Sequence, residues 1–160
     1  MSVDIFKYHD WVLETEKAQT EKLYEKVSLS GAESCKCGNC KYFISLRESI
    51  YPEEVKNLFK KLGIDINKEV EVCDVGDGEN EYIFWWWWFH FIGEIIKGDD
   101  CSIPLPKGGR TVDLLQIDEV FSIGFTQNIS LTFFKEQQGL IQIELMTKIP
   151  RNPVTKTNNE

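Results

Sequence analysis

Tyr82-Ile-Phe-Trp-Trp-Trp-Trp-Phe-His-Phe-Ile92 is the stretch that decides the fold. Every residue in it except His90 is aromatic or β-branched, the composition that fits a pleated, half-buried surface. Neighbours on a strand point to opposite faces. One face therefore carries Phe84, Trp86, Trp88, His90 and Ile92, and the other Ile83, Trp85, Trp87, Phe89 and Phe91. A strand apolar on both faces belongs in the middle of a sheet, with cover on each side. A sharper reading makes Trp85, Trp86, Trp87 and Trp88 a partner-binding set, because tryptophan is enriched at binding hot spots. A single domain has little room to bury four indoles and pair every N–H, so this reading expects part of the run at the surface.

Downstream, short strands are expected over 119–126, 129–135 and 140–148. Glu136-Gln-Gln-Gly139 serves as the hairpin between the last two, and Gly98 to Gly109 reads as a loop. Upstream, Gly76-Asp-Gly-Glu-Asn80 reads as a turn, and Val70, Val72 and Asp74 alternate with polar neighbours as on a strand. Before that the pattern becomes helical. Val55, Leu58, Phe59 and Leu62 make a buried stripe, Pro52 opens the helix, Glu53 and Glu54 favour its positive end, and Gly63 closes it. A second helix is expected over 39–50, with Phe43, Leu46 and Ile50 inward. Residues 4–27, rich in Glu and Lys, read as a first helix with Trp11, Ala18, Leu23 and Val27 inward, ended at Ser28-Leu-Ser-Gly-Ala.

Helices first and strands later predict an α+β fold. N-terminal helices would pack on one face of a four- to five-stranded, mainly antiparallel sheet. The expectation is one domain over 1–149 and a polar tail over 150–160. A chain of 160 residues is long enough to bury a core without staples.

Three cysteines fall within six residues, Cys35-Lys-Cys37-Gly-Asn-Cys40. Cys37 and Cys40 have the C-x2-C spacing of a zinc half-site, and Gly38-Asn39 suits a tight turn. Cys35 can add a third sulfur. A fourth ligand would have to come from Cys73, His90, Cys101 or an acidic residue, and His90 is the first candidate. Free structural thiols are the first reading, and a zinc ion on Cys35, Cys37, Cys40 and His90 is the second. A redox dithiol is a third, since the pair stands at a helix N-terminus, where thiol pKa values fall. No phosphate-binding loop, protease motif or glycosidase motif is present. His9, beside Asp10, reads as a solvated helix residue.

The net charge is −8, with 16 acidic and 11 basic residues in the first eighty. The only arginines are Arg47, Arg110 and Arg151. No basic cluster is available to neutralise phosphates, so nucleic acid is not an expected partner. The N-terminus, Met1-Ser-Val-Asp-Ile-Phe-Lys, lacks a signal-peptide pattern, and no apolar run suits a membrane-spanning helix. A cytoplasmic setting with reduced or metal-bound cysteines is expected.

Cys35-x-Cys37-x-Asn39-Cys40-x-x-Phe43, Tyr51-Pro52-Glu53, Leu62-Gly63-Ile64-Asp65 and Trp88-Phe89-His90-Phe91-x-Gly93 together resemble a family of small uncharacterised bacterial cytosolic proteins. The resemblance covers about residues 35 to 93. It implies a cytosolic bacterial protein and no particular activity. This chain extends the single tryptophan before Phe-His-Phe into a run of four.

Two functions compete on this sequence. One is a non-catalytic acidic binding protein, an immunity-protein or antitoxin-like inhibitor of a basic toxin or enzyme, with the cysteines as a structural site. The other is a thiol-based redox or zinc-dependent enzyme using Cys37, Cys40 and His90. Size, net charge and the lack of a catalytic constellation favour the first.

Overall fold

The computed structural model describes residues 2–75 and 81–151. The expected strand is the longest element, β4 (Tyr82–Lys97) among nine strands and four helices of the described residues. The others are β1 (Asp4–Tyr8), β2 (Trp11–Thr15), α1 (Lys17–Glu25), α2 (Gly31–Cys35), α3 (Gly38–Leu46), α4 (Glu53–Leu62), β3 (Val72–Asp74), β5 (Ser102–Pro104), β6 (Arg110–Val112), β7 (Leu115–Gln116), β8 (Phe121–Thr126) and β9 (Leu140–Pro150). The class is α+β. The main sheet has seven strands rather than four or five, in the order β1-β2-β4-β9-β8-β7, with β3 also on β4. Every pairing is antiparallel. β5 and β6 form a separate hairpin inside and beyond the segment read as a loop.

One edge of β4 is paired with β9 from Tyr82↔Pro150 to Ile92↔Leu140. The other edge is shared. β3 takes Trp85 to Trp87, and β2 takes Gly93 to Lys97. The backbone left between them needs partners, since an orphaned buried N–H or C=O is costly. Helix α1 supplies them. The Tyr24 hydroxyl donates to the His90 carbonyl at 2.6 Å and accepts from the His90 N–H at 3.0 Å. Thr20 Oγ1 accepts from the Ile92 N–H at 3.0 Å. Thr20 and Tyr24 are four residues apart, so both project from one side of the helix. Val70 N–H donates to the Trp88 carbonyl at 3.1 Å, and Glu16 N–H to the Ile92 carbonyl at 3.0 Å.

The first helix expected over 4–27 is corrected. Only Lys17–Glu25 is helical, and its buried residues are Thr20 and Tyr24 rather than Ala18 and Leu23. The segment before it is a hairpin. Trp11, Leu13 and Thr15 are buried and alternate with half-exposed Val12 and Glu14, a period of two that the surrounding Glu and Lys residues obscure. His9 is not on a helix. It stands in the hairpin turn with φ 51° and bonds Glu54 at 2.8 Å.

The strand expected over 129–135 is also corrected: the segment is irregular. Side-chain oxygens, two of them local and one on β9, capture backbone donors in and beside it. Asn128 N–H goes to Thr126 Oγ1, Ser130 N–H to Gln142 Oε1 and Phe134 N–H to Thr132 Oγ1. No hairpin therefore forms through Glu136 to Gly139. The turn expected over 76–80 and the tail from 152 lie outside the described residues.

Helices α3 and α4 cover the face of Trp85, Trp87 and Phe89. Phe43 meets Trp85 and Trp87 edge-on at 5.2 and 5.3 Å, and Phe59 meets Phe89 at 4.9 Å. Pro52 is the N-cap of α4, one place earlier than the first-turn position expected, and Glu53 and Glu54 fill the first turn. Gly63 ends the helix with φ 81°, and a Cβ there would meet the Lys17 carbonyl oxygen at 2.4 Å. Both the left-handed backbone and the close approach require glycine. On the second sheet face the irregular segment 127–134 forms a lid, with Phe134 against His90 at 6.4 Å.

Candidate functional site

The three cysteines come together on a turn between two helices. Ser30 opens α2 with a reciprocal cap: its Oγ accepts from Glu33 N–H at 3.2 Å, and Glu33 Oε1 accepts from Ser30 N–H at 3.1 Å. Cys35 is the last residue of α2. Lys36 then turns the chain with φ 62°, a left-handed conformation that non-glycine residues rarely adopt. Cys37 is the N-cap of α3, its Sγ accepting from the Cys40 N–H at 3.3 Å. The Sγ atoms of Cys35, Cys37 and Cys40 all lie within 4.8 Å of one another.

The turn is clamped from below. Glu69 is fully buried, and its Oε1 accepts from Arg47 at 3.2 Å. Its Oε2 accepts from the Ala32 N–H at 3.3 Å. Arg47 also donates to Ser30 Oγ at 3.3 Å. Gly31 lies so close to β3's lead-in that a Cβ there would meet the Val70 carbonyl oxygen at 2.0 Å. On the outer side, Asn39 donates to Asp74 Oδ2 at 3.0 Å. Burial pushes the Glu69 carboxyl pKa up, against the opposing pull of Ser30, Arg47 and the Ala32 N–H.

The thiols differ in setting. Cys35 and Cys37 are exposed, and Cys40 is buried. The Cys40 N–H, with help from the Cys35 and Cys40 thiols, draws the Cys37 pKa below the ordinary thiol value. Burial drives the Cys40 thiol in the opposite direction. Such a cluster can hold a soft cation. Zinc–sulfur bonds of about 2.3 Å in a tetrahedron place sulfurs roughly 3.8 Å apart, against the spread of up to 4.8 Å here.

His90 is not part of the cluster. By strand alternation it lies on the face opposite Phe43 and α3, fully buried, with Nε2–H donating to Gln142 Oε1 at 2.9 Å. Its Nδ1 has no hydrogen-bond partner among the described residues. Cys73 stands on β3 opposite Trp86, and Cys101 is buried. Neither joins the three sulfurs.

The tryptophans divide as the alternation predicts. Trp85 and Trp87 are fully buried, and Trp87 Nε1–H donates to the Tyr51 hydroxyl at 2.8 Å. Trp88 is 7% exposed, its Nε1–H held by the Leu131 carbonyl at 2.9 Å. Trp86 is half-buried and gives its Nε1–H to Glu144 Oε2. Of the four, Trp86 offers the indole surface that a partner could touch.

Sequence reasoning missed the Glu69–Arg47 clamp and a buried polar chain on the second face. In that chain Gln142 Nε2–H donates to Glu144 Oε1 at 2.6 Å, linking His90 to Trp86 through two side chains. Gln142 and Glu144 alternate with Ile141, Ile143 and Leu145, which reads as an ordinary solvated face. The lid over 127–134 covers Gln142, whose Oε1 accepts from the Ser130 N–H at 2.7 Å.

Burial lowers the His90 pKa to about 4, only partly offset by Gln142. The folded protein keeps the imidazole neutral, while the unfolded chain protonates it below its ordinary value near 6.5. The unfolded state thus binds more protons between about pH 6.5 and 4, and stability falls as pH drops through that window, by about 3 kcal/mol in full. Glu69 and Glu144, both raised by burial, act in the opposite sense. Replacing His90 by Gln removes only the first slope. Wild type is expected to lose more stability than His90→Gln between those pH values, and equal losses in chemical denaturation would contradict the assignment.

Compared with protein-family models, with curated proteins and with solved structures, the chain finds no match. Among the described residues no helix is long and apolar enough to cross a membrane.

Proposed function

We propose that this chain is a non-catalytic binding protein whose Cys35-Cys37-Cys40 turn holds a zinc-class ion as a structural fastener. The observation that carries this reading is the approach of three sulfurs within 4.8 Å on a clamped turn. Soft thiolates select zinc or monovalent copper over the hard cations that carboxylates prefer. The ion would tie α2 to α3 and add its binding free energy to the folded state, because the unfolded chain does not preform the site. His90 has no role as a ligand in this reading.

Cobalt(II) tests it, since thiolate ligation gives an intense sulfur-to-cobalt charge-transfer band. Metal-stripped wild type is expected to titrate to one equivalent with that band. Cys37→Ser is expected to lose the stoichiometric endpoint. Weak, non-saturating binding in both proteins contradicts the proposal.

The net charge of −8 supports a basic protein as partner, in the manner of an immunity protein or antitoxin that blocks a toxin or enzyme in the cytoplasm. Half-buried Trp86 supplies an apolar contact point on the sheet face away from α3. A pull-down from native lysate should retain a basic protein that is released by salt at about 0.5 M, where charge steering is screened. Retention of no protein counts against this part of the reading.

A further inference from the structure

The turn that gathers the sulfurs also sorts them. Cys37 is exposed at the N-cap of α3, and Cys40, one turn on, is 6% exposed beneath it. A disulfide arriving from solvent can meet exposed Cys35 or Cys37 but not Cys40, and of the two exposed thiols Cys37 is the one whose Sγ accepts the Cys40 N–H at 3.3 Å. Two exposed lysines, Lys36 and Lys41, flank the pair on either side. They favour a disulfide that carries carboxylates over a neutral one.

We propose that, with no ion on the sulfurs, Cys37 and Cys40 act as a dithiol that reduces small anionic disulfides of the glutathione type. Cys37 attacks and Cys40 resolves. In the first step the Cys37 thiolate places an electron pair on one sulfur of the substrate. The substrate S–S bond breaks, and the departing thiolate takes a proton from water. In the second step the Cys40 thiol releases its proton, and its thiolate attacks Cys37 Sγ. The mixed disulfide breaks, and the second substrate half leaves as a thiol once protonated. The protein pair gives up two electrons and two protons, and the substrate disulfide becomes two thiols. The second step needs no encounter in solution, because the two sulfurs already lie within 4.8 Å.

Metal binding and exchange use the same sulfurs and are measured apart. The whole chain is treated with chelator, mixed with excess glutathione disulfide, quenched in acid and digested after lysine. Cys37 to Lys41 then forms one peptide and Cys35 belongs to another. In wild type the Cys37–Lys41 peptide is expected to lose two hydrogens and carry no glutathione. In Cys40→Ser the same peptide is expected to hold one glutathione on Cys37. Glutathione persisting on the wild-type peptide overturns the proposal. So does a bridge that joins Cys35 to either other sulfur, or a Cys40→Ser protein that reacts first at Cys35. The wild-type map alone decides the pairing if a variant fails to fold.

Discussion

Trp87→Ala is expected to lower folding stability by about 3 to 5 kcal/mol, enough to unfold a marginal domain. Trp87 is fully buried at the centre of the sheet. Its ring meets Phe43 at 5.3 Å, Tyr51 at 5.8 Å and Phe121 at 5.8 Å. Truncation leaves a cavity among groups on α3, β8 and the connection before α4, which cannot all collapse inward together. It also leaves the Tyr51 hydroxyl, 4% exposed as a residue, without its indole donor. Trp85→Ala should behave similarly, since Trp85 is equally buried against Phe43 and Tyr42. Trp86→Ala is the contrast, because Trp86 is only partly buried. Its cost should be smaller and should come from the lost donor to Glu144. Urea denaturation of the three variants checks the order, and a Trp86 loss as large as that of Trp87 would refute the division of the run into two faces.

The second large effect is at the clamp beneath the cysteines. Glu69→Ala removes both Arg47's buried partner and the acceptor for the Ala32 N–H. Arg47 has only 12% of its side chain exposed, so its charge is left poorly solvated, with Glu33 at 3.8 Å as the remaining carboxylate. Breaking a buried pair from one side typically costs about 3 to 5 kcal/mol. Because Ala32 and Ser30 set the start of α2, the loss should also loosen the turn that gathers the sulfurs. Glu69→Ala is therefore expected to weaken cobalt binding as well as lower the denaturation midpoint. The double variant Glu69→Leu, Arg47→Met removes both charges and should recover much of the stability. A double variant no more stable than Glu69→Ala would show that the clamp matters for packing rather than charge.

The parts of this fold legible in the sequence are those where one pattern dominates. The run from Tyr82 reads as a strand on composition alone, and its alternation separates buried Trp85 and Trp87 from partly exposed Trp86. α4 carries a clean apolar stripe between Pro52 and Gly63, and Gly63 is required twice over. The cysteine spacing announces a thiol cluster whatever surrounds it. The failures arise where two patterns overlap or where long-range contact decides. Residues 11–15 alternate as a strand but lie among Glu and Lys residues that suit a helix, and pairing with Ile95 and Glu94 of β4 settles the matter. Residues 129–135 have strand composition, but Ser130 and Phe134 give their N–H groups to nearby side chains. Glu69 and Glu144 resemble surface carboxylates until the tertiary fold buries them. By residue type His90 suits a fourth ligand, and only the sheet's two faces show that it points away from the cysteines.

Whether the three sulfurs act as one metal site is decided most directly by the zinc content of protein purified without added zinc. The prediction is about one zinc per chain in wild type, retained through gel filtration, with Cys37→Ser and Cys40→Ser falling to background. Wild-type zinc below about a tenth of an equivalent, with no other soft metal in its place, would contradict it.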